Sequence, residues 1–143
     1  MQSVSIHRVF LFVVSLVIAA SALAQSRETY KDPKAPLNVR VQDLLARMTV
    51  EEKVAQMQSM WAGKAGILNA DGTFSAEKAR TALTNGIGQI GRPTDFMGTP
   101  RFVKERFRSI DETTAFVNAT QRFLIEQTRL GIPALELTSS KRL

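Results

Sequence analysis

Apolar residues recur at helical spacing along much of this chain. Val41, Leu44, Leu45 and Met48 fall at i, i+3, i+4 and i+7, one stripe of a first helix. Thr49 then opens a second helix, with Glu52 placed to complete a capping box and Glu51 and Glu52 favoured by the helix dipole. Val50, Val54, Met57 and Trp61 form the stripe expected to bury this helix. Arg40 to Met57 is thus read as two helices and the turn between them. Ser75 is a suitable cap for a helix over Ala76 to Thr84, with Glu77 in its first turn and Asn85-Gly86 as its stop. The longest helix opens at Asp111 or Thr113 and runs to about Arg129. Its buried face is traced by Phe116, Ala119, Thr120, Phe123, Leu124 and Gln127, and Gly131 and Pro133 end it.

The remaining stretches read as strands and loops. Ile87 to Gly91 is a short apolar run whose glycines indicate close backbone approach, and Ile132 to Leu135 begins another strand. Ala62 to Phe74 is loop, with Ile67-Leu68-Asn69 and Thr73-Phe74 flanking an Asp71-Gly72 turn as a short hairpin. Asp71 is assigned to that turn and not to a metal. Gln25 to Pro36 is an extended lead-in. Arg92 to Ile110 is a long connection in which Arg101, Lys104, Arg106 and Arg108 interleave with Phe102 and Phe107. Such a pattern occurs in nucleic-acid grooves. The reading preferred here has the two phenylalanines packed inside and the basic residues in water.

Three features narrow the class. The chain contains no cysteine and a single histidine, His7, so disulfides, a multi-histidine metal site and a histidine-based triad are excluded. Met1 to Ala24 has the order of a secretory signal peptide: His7 and Arg8, an apolar run from Val9 to Ala20, then Ala22-Leu23-Ala24 as a cleavage site before Gln25. The run is short for a membrane span. This implies a periplasmic or secreted protein, no membrane after signal cleavage, and no nucleic-acid role. The formal charge of +6 is read as a soluble surface with a basic excess. Asn118-Ala119-Thr120 matches a glycosylation acceptor, but mid-helix it is a chance match.

Tyr30 and Asp32, followed by the run from Arg40 to Met57, resemble the opening of glycoside hydrolase family 3, which holds β-glucosidases and β-xylosidases. Asn85-Gly86-Ile87-Gly88-Gln89-Ile90-Gly91-Arg92 and Thr128-Arg129-Leu130-Gly131-Ile132-Pro133-Ala134-Leu135 resemble that family too, in the same order. The resemblance implies an α/β fold: the N-terminal fragment of a (β/α)₈ TIM barrel, predominantly helical as it stands, with residues 37–143 as an incomplete barrel domain and Ile87 to Gly91 as its first strand. It implies a retaining glycosidase acting on an oligosaccharide or β-glycoside substrate, with no cofactor.

A retaining glycosidase needs two carboxyl groups about 5–5.5 Å apart. The family's nucleophile lies on a late barrel strand and its acid/base later still, so no residue of this chain matches a catalytic position. Glu51, Glu52 and Glu77 serve helix starts, Asp43 lies on the polar side of the first helix, and Glu126 sits on the long helix. Arg92 follows the first strand at its C-terminal end, where barrel enzymes place their active sites, and is the one candidate substrate-binding residue. A full barrel takes about 250 residues. The chain is therefore expected to be a front portion, inactive alone. The resemblance stops at Leu135, and Glu136 to Leu143 turns polar where a buried parallel strand should stay apolar. A reading-frame change there is expected, since one inserted base can restore a Phe-Ile-Glu-Glu-Ala pattern; the genomic sequence past codon 143 checks it. The competing readings are a small secreted helical glycan- or protein-binding module and a basic module for an anionic polymer.

Overall fold

The computed structural model describes residues 28–137, so the signal-peptide reading of 1–24 and the tail from 138 onward lie outside the described residues. The chain divides into two compact units after Arg47. In the first, a 3₁₀ turn at Thr29–Lys31 precedes helix α1, Leu37–Arg47. The lead-in is therefore not wholly extended. Asp43 organises this unit: it accepts from the Tyr30 backbone N–H at 3.0 Å and from Arg47 Nε at 3.0 Å, while Arg40 Nε donates to the Tyr30 carbonyl at 3.0 Å. The expected stripe of α1 is not a core face here, because Val41 and Leu45 are exposed and no residue of α1 is buried.

The second unit opens with α2, Val50–Gln56. The capping box forms as expected: the Thr49 N–H donates to Glu52 Oε2 at 2.8 Å and the Glu52 N–H donates to Thr49 Oγ1 at 3.2 Å. The expected burial of this helix is overturned. Val50 is 70% exposed and Met57 83% exposed, whereas Glu52 and Ala55 face inward. The helix also stops at Gln56, so Trp61 is not on it. Two contacts choose the other face. Arg129 Nε donates to Glu52 Oε1 at 2.8 Å, and the Gly88 N–H donates to the Ala55 carbonyl at 2.9 Å.

After α2 the chain forms β1, Ser59–Met60, which the helical periodicity had concealed. β2 is Gln89–Gly91 and β3 is Leu135–Leu137. The three make one parallel sheet in the order β1-β2-β3, with Ser59 beside Gln89 beside Leu135 and Met60 beside Ile90 beside Glu136. β2 is thus the second strand among the described residues, not the first. The β1–β2 crossover carries a 3₁₀ segment, Ala62–Ile67, and α3, Ala76–Ala82. The β2–β3 crossover carries a 3₁₀ turn, Pro100–Val103, and α4, Ile110–Gln127. This is a partial α/β domain, and a closed barrel is not formed among the described residues.

Local signals account for the helices and turns. Ser75 caps α3 through the Lys78 N–H at 3.4 Å. α4 starts earlier than expected, because Ser109 and Glu112 form a second capping box. Leu68 and Phe74 make the antiparallel bridge of the short hairpin, and Gly72, Gly86 and Gly131 adopt the left-handed backbone their turns require. The core holds Ile67, Leu68, Leu83, Ile90, Phe123 and Leu124 among others, uniting both crossovers with one face of the sheet. Leu135 and Leu137, on the other face, are exposed.

Gly88 sets how closely α2 approaches the sheet. A Cβ at this position would lie 1.9 Å from the Gln56 carbonyl oxygen, so backbone must move to accept any side chain. Gly88→Ala is expected to destabilise by at least about 2 kcal/mol. Gly63→Ala, whose new Cβ would find its nearest neighbour at 3.8 Å, should leave the urea midpoint nearly unchanged. Urea titrations followed by circular dichroism compare the two.

Candidate functional site

The C-terminal ends of β1 and β2 converge on a buried ion pair. The chain leaves β1 at Trp61 and turns at once into the 3₁₀ segment that carries Lys64; it leaves β2 at Arg92 and reaches Asp95 three residues later. Lys64 is 0% exposed. Its ammonium donates to the Arg92 carbonyl at 2.5 Å, the Asp95 carbonyl at 3.3 Å, the Gly91 carbonyl at 3.4 Å, and the Asp95 carboxylate. The other carboxylate oxygen of Asp95 accepts from Trp61 Nε1 at 3.3 Å and pairs with Arg92 Nε at 3.2 Å. The Met97 N–H donates to Oδ1 at 3.2 Å.

Burial pushes the Asp95 carboxyl upward, but Lys64, the Met97 N–H and Trp61 together hold the group below its usual value. Burial draws Lys64 downward, against the pull of Asp95 and aided by the charges of Arg108 and Arg92. These two directions conflict, since one favours the ion pair and the other weakens it. Geometry decides for the ion pair: all four oxygens around Lys64 are acceptors, and an ammonium supplies three donors and no acceptor.

Arg92 pays for this arrangement with its backbone. Its φ of 50° makes it the one non-glycine residue with positive φ among the described residues. In that conformation its carbonyl serves Lys64 while its N–H donates to the Leu137 carbonyl at 2.7 Å. Backbone outliers of this kind cluster at functional sites. The Arg92 side chain is 39% exposed, and its guanidinium lies over the Trp61 ring at 5.0 Å from the centroid. Trp61 is itself 42% exposed. The outward surface is therefore an indole with a cation stacked over it, both partly exposed and suited to the apolar face and hydroxyls of a polar ring. Lys64 and Asp95 lie beneath it as supports, enclosed and fully engaged.

Arg92 is thus where the sequence reading put it, at the C-terminal end of a parallel strand. Its neighbours Trp61, Lys64 and Asp95 were missed, because Trp61 continued a helical stripe and Lys64 sat in a glycine-rich loop. The packing expected in the long connection is also corrected. Phe107 is exposed, while Phe96 and Arg108 are buried. A planar guanidinium can lie between rings and still reach carbonyls, and Arg108 does so, donating to Pro93 at 2.7 Å and Gly72 at 2.8 Å. Of the acids, Asp71 holds its turn through the Thr73 N–H at 2.9 Å, as expected, and Glu51, Glu77 and Glu126 are exposed. Glu52 does more than start a helix, since Arg129 also binds it. Among the described residues, no group of three His, Cys, Asp or Glu side chains could hold a metal ion. No described helix is long and apolar enough to cross a membrane.

Glu136 is an unforeseen titrating group. It shares its sheet face with Ile90 and meets Gln121 Nε2 at 3.2 Å, while its Oε2 has no hydrogen-bond partner among the described residues. Burial raises its carboxyl from 4.5 to about 7, with Gln121 and Lys64 opposing. Between those values the folded chain keeps a proton that the unfolded chain has released. Stability should therefore fall as pH rises through this window and level off above it. Thermal melts across the window should show this slope, and Glu136→Gln should flatten it.

The ion pair makes a second prediction. Lys64→Met removes the buried cation beside the Asp95 carboxylate, leaving it only the half-exposed Arg92 as a charged partner, and should cost about 3 kcal/mol. Adding Asp95→Asn should recover part of the loss, because an amide is less costly than a buried charge so weakly paired. A double-mutant cycle in urea measures the coupling.

Comparison with known proteins is consistent with this architecture. No protein-family model matches the chain. It is 33% identical over 117 residues to a protein of Formosa agariphila named as a beta-xylosidase, covering 81% of this chain and 14% of that protein. It is 34% identical over 116 residues to proteins of Aspergillus oryzae and Aspergillus flavus named as beta-glucosidase C, covering 81% of this chain and 17% of each. The chain therefore resembles a small part of glycoside hydrolases and spans less than a fifth of their length.

Proposed function

We propose that this chain is the front part of an exported family 3 glycoside hydrolase that removes terminal β-D-glucosyl or β-D-xylosyl residues with retention. The observation that carries this reading is the similarity, over 81% of the chain, to proteins named as a beta-xylosidase and as beta-glucosidases. The parallel sheet supports it, since ligands of such sheets gather at the C-terminal ends of the strands. Trp61 and Arg92 then face the sugar. The indole takes the C–H face of the ring and the guanidinium donates to hydroxyls, with Lys64 and Asp95 holding both in place.

The chemistry of bond cleavage requires a carboxylate nucleophile and a second carboxyl as acid and base. The buried acid at this surface, Asp95, is committed to Lys64, Trp61 and Arg92 and cannot attack. The chain alone is therefore proposed to bind sugar weakly and to hydrolyse none.

Trp61 is the sole tryptophan, so its fluorescence reports on this surface alone. Titration with methyl β-D-xyloside and methyl β-D-glucoside should quench it, and Arg92→Ala should weaken the effect. The chain should show no turnover of aryl β-glucosides or β-xylosides above a protein-free blank. Turnover would refute the inactive reading. Fluorescence indifferent to both glycosides would remove Trp61 and Arg92 from the sugar site.

A further inference from the structure

Apart from the Trp61–Arg92 surface, a cavity of about 290 Å³ lies among the first half of α4, the turn at Gly72 to Phe74, and the loop carrying Phe96, Arg101 and Arg108. A cavity of this size sits at the small end of ligand pockets, with room for one substituted ring. Its apolar walls are Phe74, Phe96 and Phe116, with Ala115 and Ala119 on α4.

The polar lining is Arg101, Arg108, Glu112 and Thr73. Arg108 is sandwiched, with its guanidinium carbon 4.6 Å from the Phe96 centroid and 4.4 Å from the Phe116 centroid. Its three hydrogen bonds end on the carbonyls of Pro93, Gly72 and Asp95, so none ends on a carboxylate. Three of a guanidinium's five N–H donors are thereby used. The nearby Asp95 carboxylate is already committed to Lys64, Arg92 and Trp61. Arg101 lies 4.2 Å from the Phe96 centroid and pairs with Glu112 at 2.9 Å and, outside the cavity, with Glu105. Arg101 is thus matched by two carboxylates, Glu112 in the lining and Glu105 outside it. Arg108 is the lining cation whose hydrogen bonds reach no carboxylate, and it lies between aromatic walls.

We propose that this cavity is a binding site for a small aromatic monoanion, with its ring among Phe74, Phe96 and Phe116 and its carboxylate directed to Arg108 and Arg101. Aromatic walls accept the ring by offset or edge-to-face contact. The guanidinium groups supply charge-assisted hydrogen bonds, which are the stronger kind. The site is separate from the proposed sugar-facing surface, so it stands whether or not that surface binds sugar.

The test is calorimetric titration of the full chain with benzoate, using benzyl alcohol as a neutral ligand of similar shape. Benzoate should bind saturably, about tenfold or more tighter than benzyl alcohol, as expected for a hydrogen bond to a charged group. Ala119→Phe fills the cavity and should abolish binding. Glu112→Gln keeps a residue able to complete the capping box but removes the lining carboxylate, and should tighten benzoate binding several-fold. Circular dichroism establishes that each variant is folded. Equal affinity for the two ligands, no benzoate binding, or binding retained by folded Ala119→Phe would overturn the proposal. If Ala119→Phe does not fold, Glu112→Gln decides: unchanged or weaker benzoate binding overturns it.

Discussion

A lysine with no exposed surface holds together the upper end of the second unit. The Lys64 ammonium can be buried only because it meets four oxygens, and those oxygens come from the end of β2 and the loop beyond it. Removing a cation from water costs several kcal/mol, recovered only when its donors are all met. Each consequence at this end of the sheet follows from that need. Arg92 must turn left-handed to offer its carbonyl. Asp95 must stay ionised beneath the surface. Trp61 and the Arg92 side chain, both bonded to Asp95, are then held where they face solvent together.

The lower end of the sheet is organised differently, by close approach. Gly88 lets α2 bring its backbone against β2, and Glu52 combines helix capping with a two-pronged contact to Arg129 from beyond α4. Arg129 lowers the Glu52 carboxyl most, ahead of the backbone N–H of Thr49. This polar closure turns Val50, Val54 and Met57 outward. Together with Leu135 and Leu137, they give α2 and one sheet face exposed apolar surface among the described residues.

Charge placement distinguishes the buried Arg108 from the half-buried Glu136. Arg108 keeps its charge inside because stacking and carbonyls compensate for lost water, although burial still draws its value down. Among the described residues Glu136 has one amide partner and an unpaired oxygen, so its proton is retained to about neutrality. The contrast is geometric. A flat cation with five donors can be satisfied between rings, whereas a carboxylate on a strand facing hydrophobic helices cannot.

Most helix signals were legible, with ends off by a few residues. Thr49 and Ser75 cap as expected, but α3 ends at Ala82 and α4 at Gln127, short of the expected Thr84 and Arg129, and α4 starts earlier, capped by Ser109. The Phe116, Thr120, Phe123 and Leu124 face of α4 is buried as its period requires, while Gln127 is exposed. These signals act over a few residues, so local order is enough to read them. The strand at Gln89–Gly91 and the position of Arg92 at its C-terminal end were legible for the same reason. Not legible were β1, the inward face of α2, and the burial of Lys64 and Arg108. A two-residue strand has no period to detect, and an amphipathic stripe does not say what will cover it. A buried cation is indistinguishable from a solvated one until the carbonyls that receive it are brought from 13 to 36 residues away. Those choices depend on contacts between distant segments, and only the folded chain supplies them.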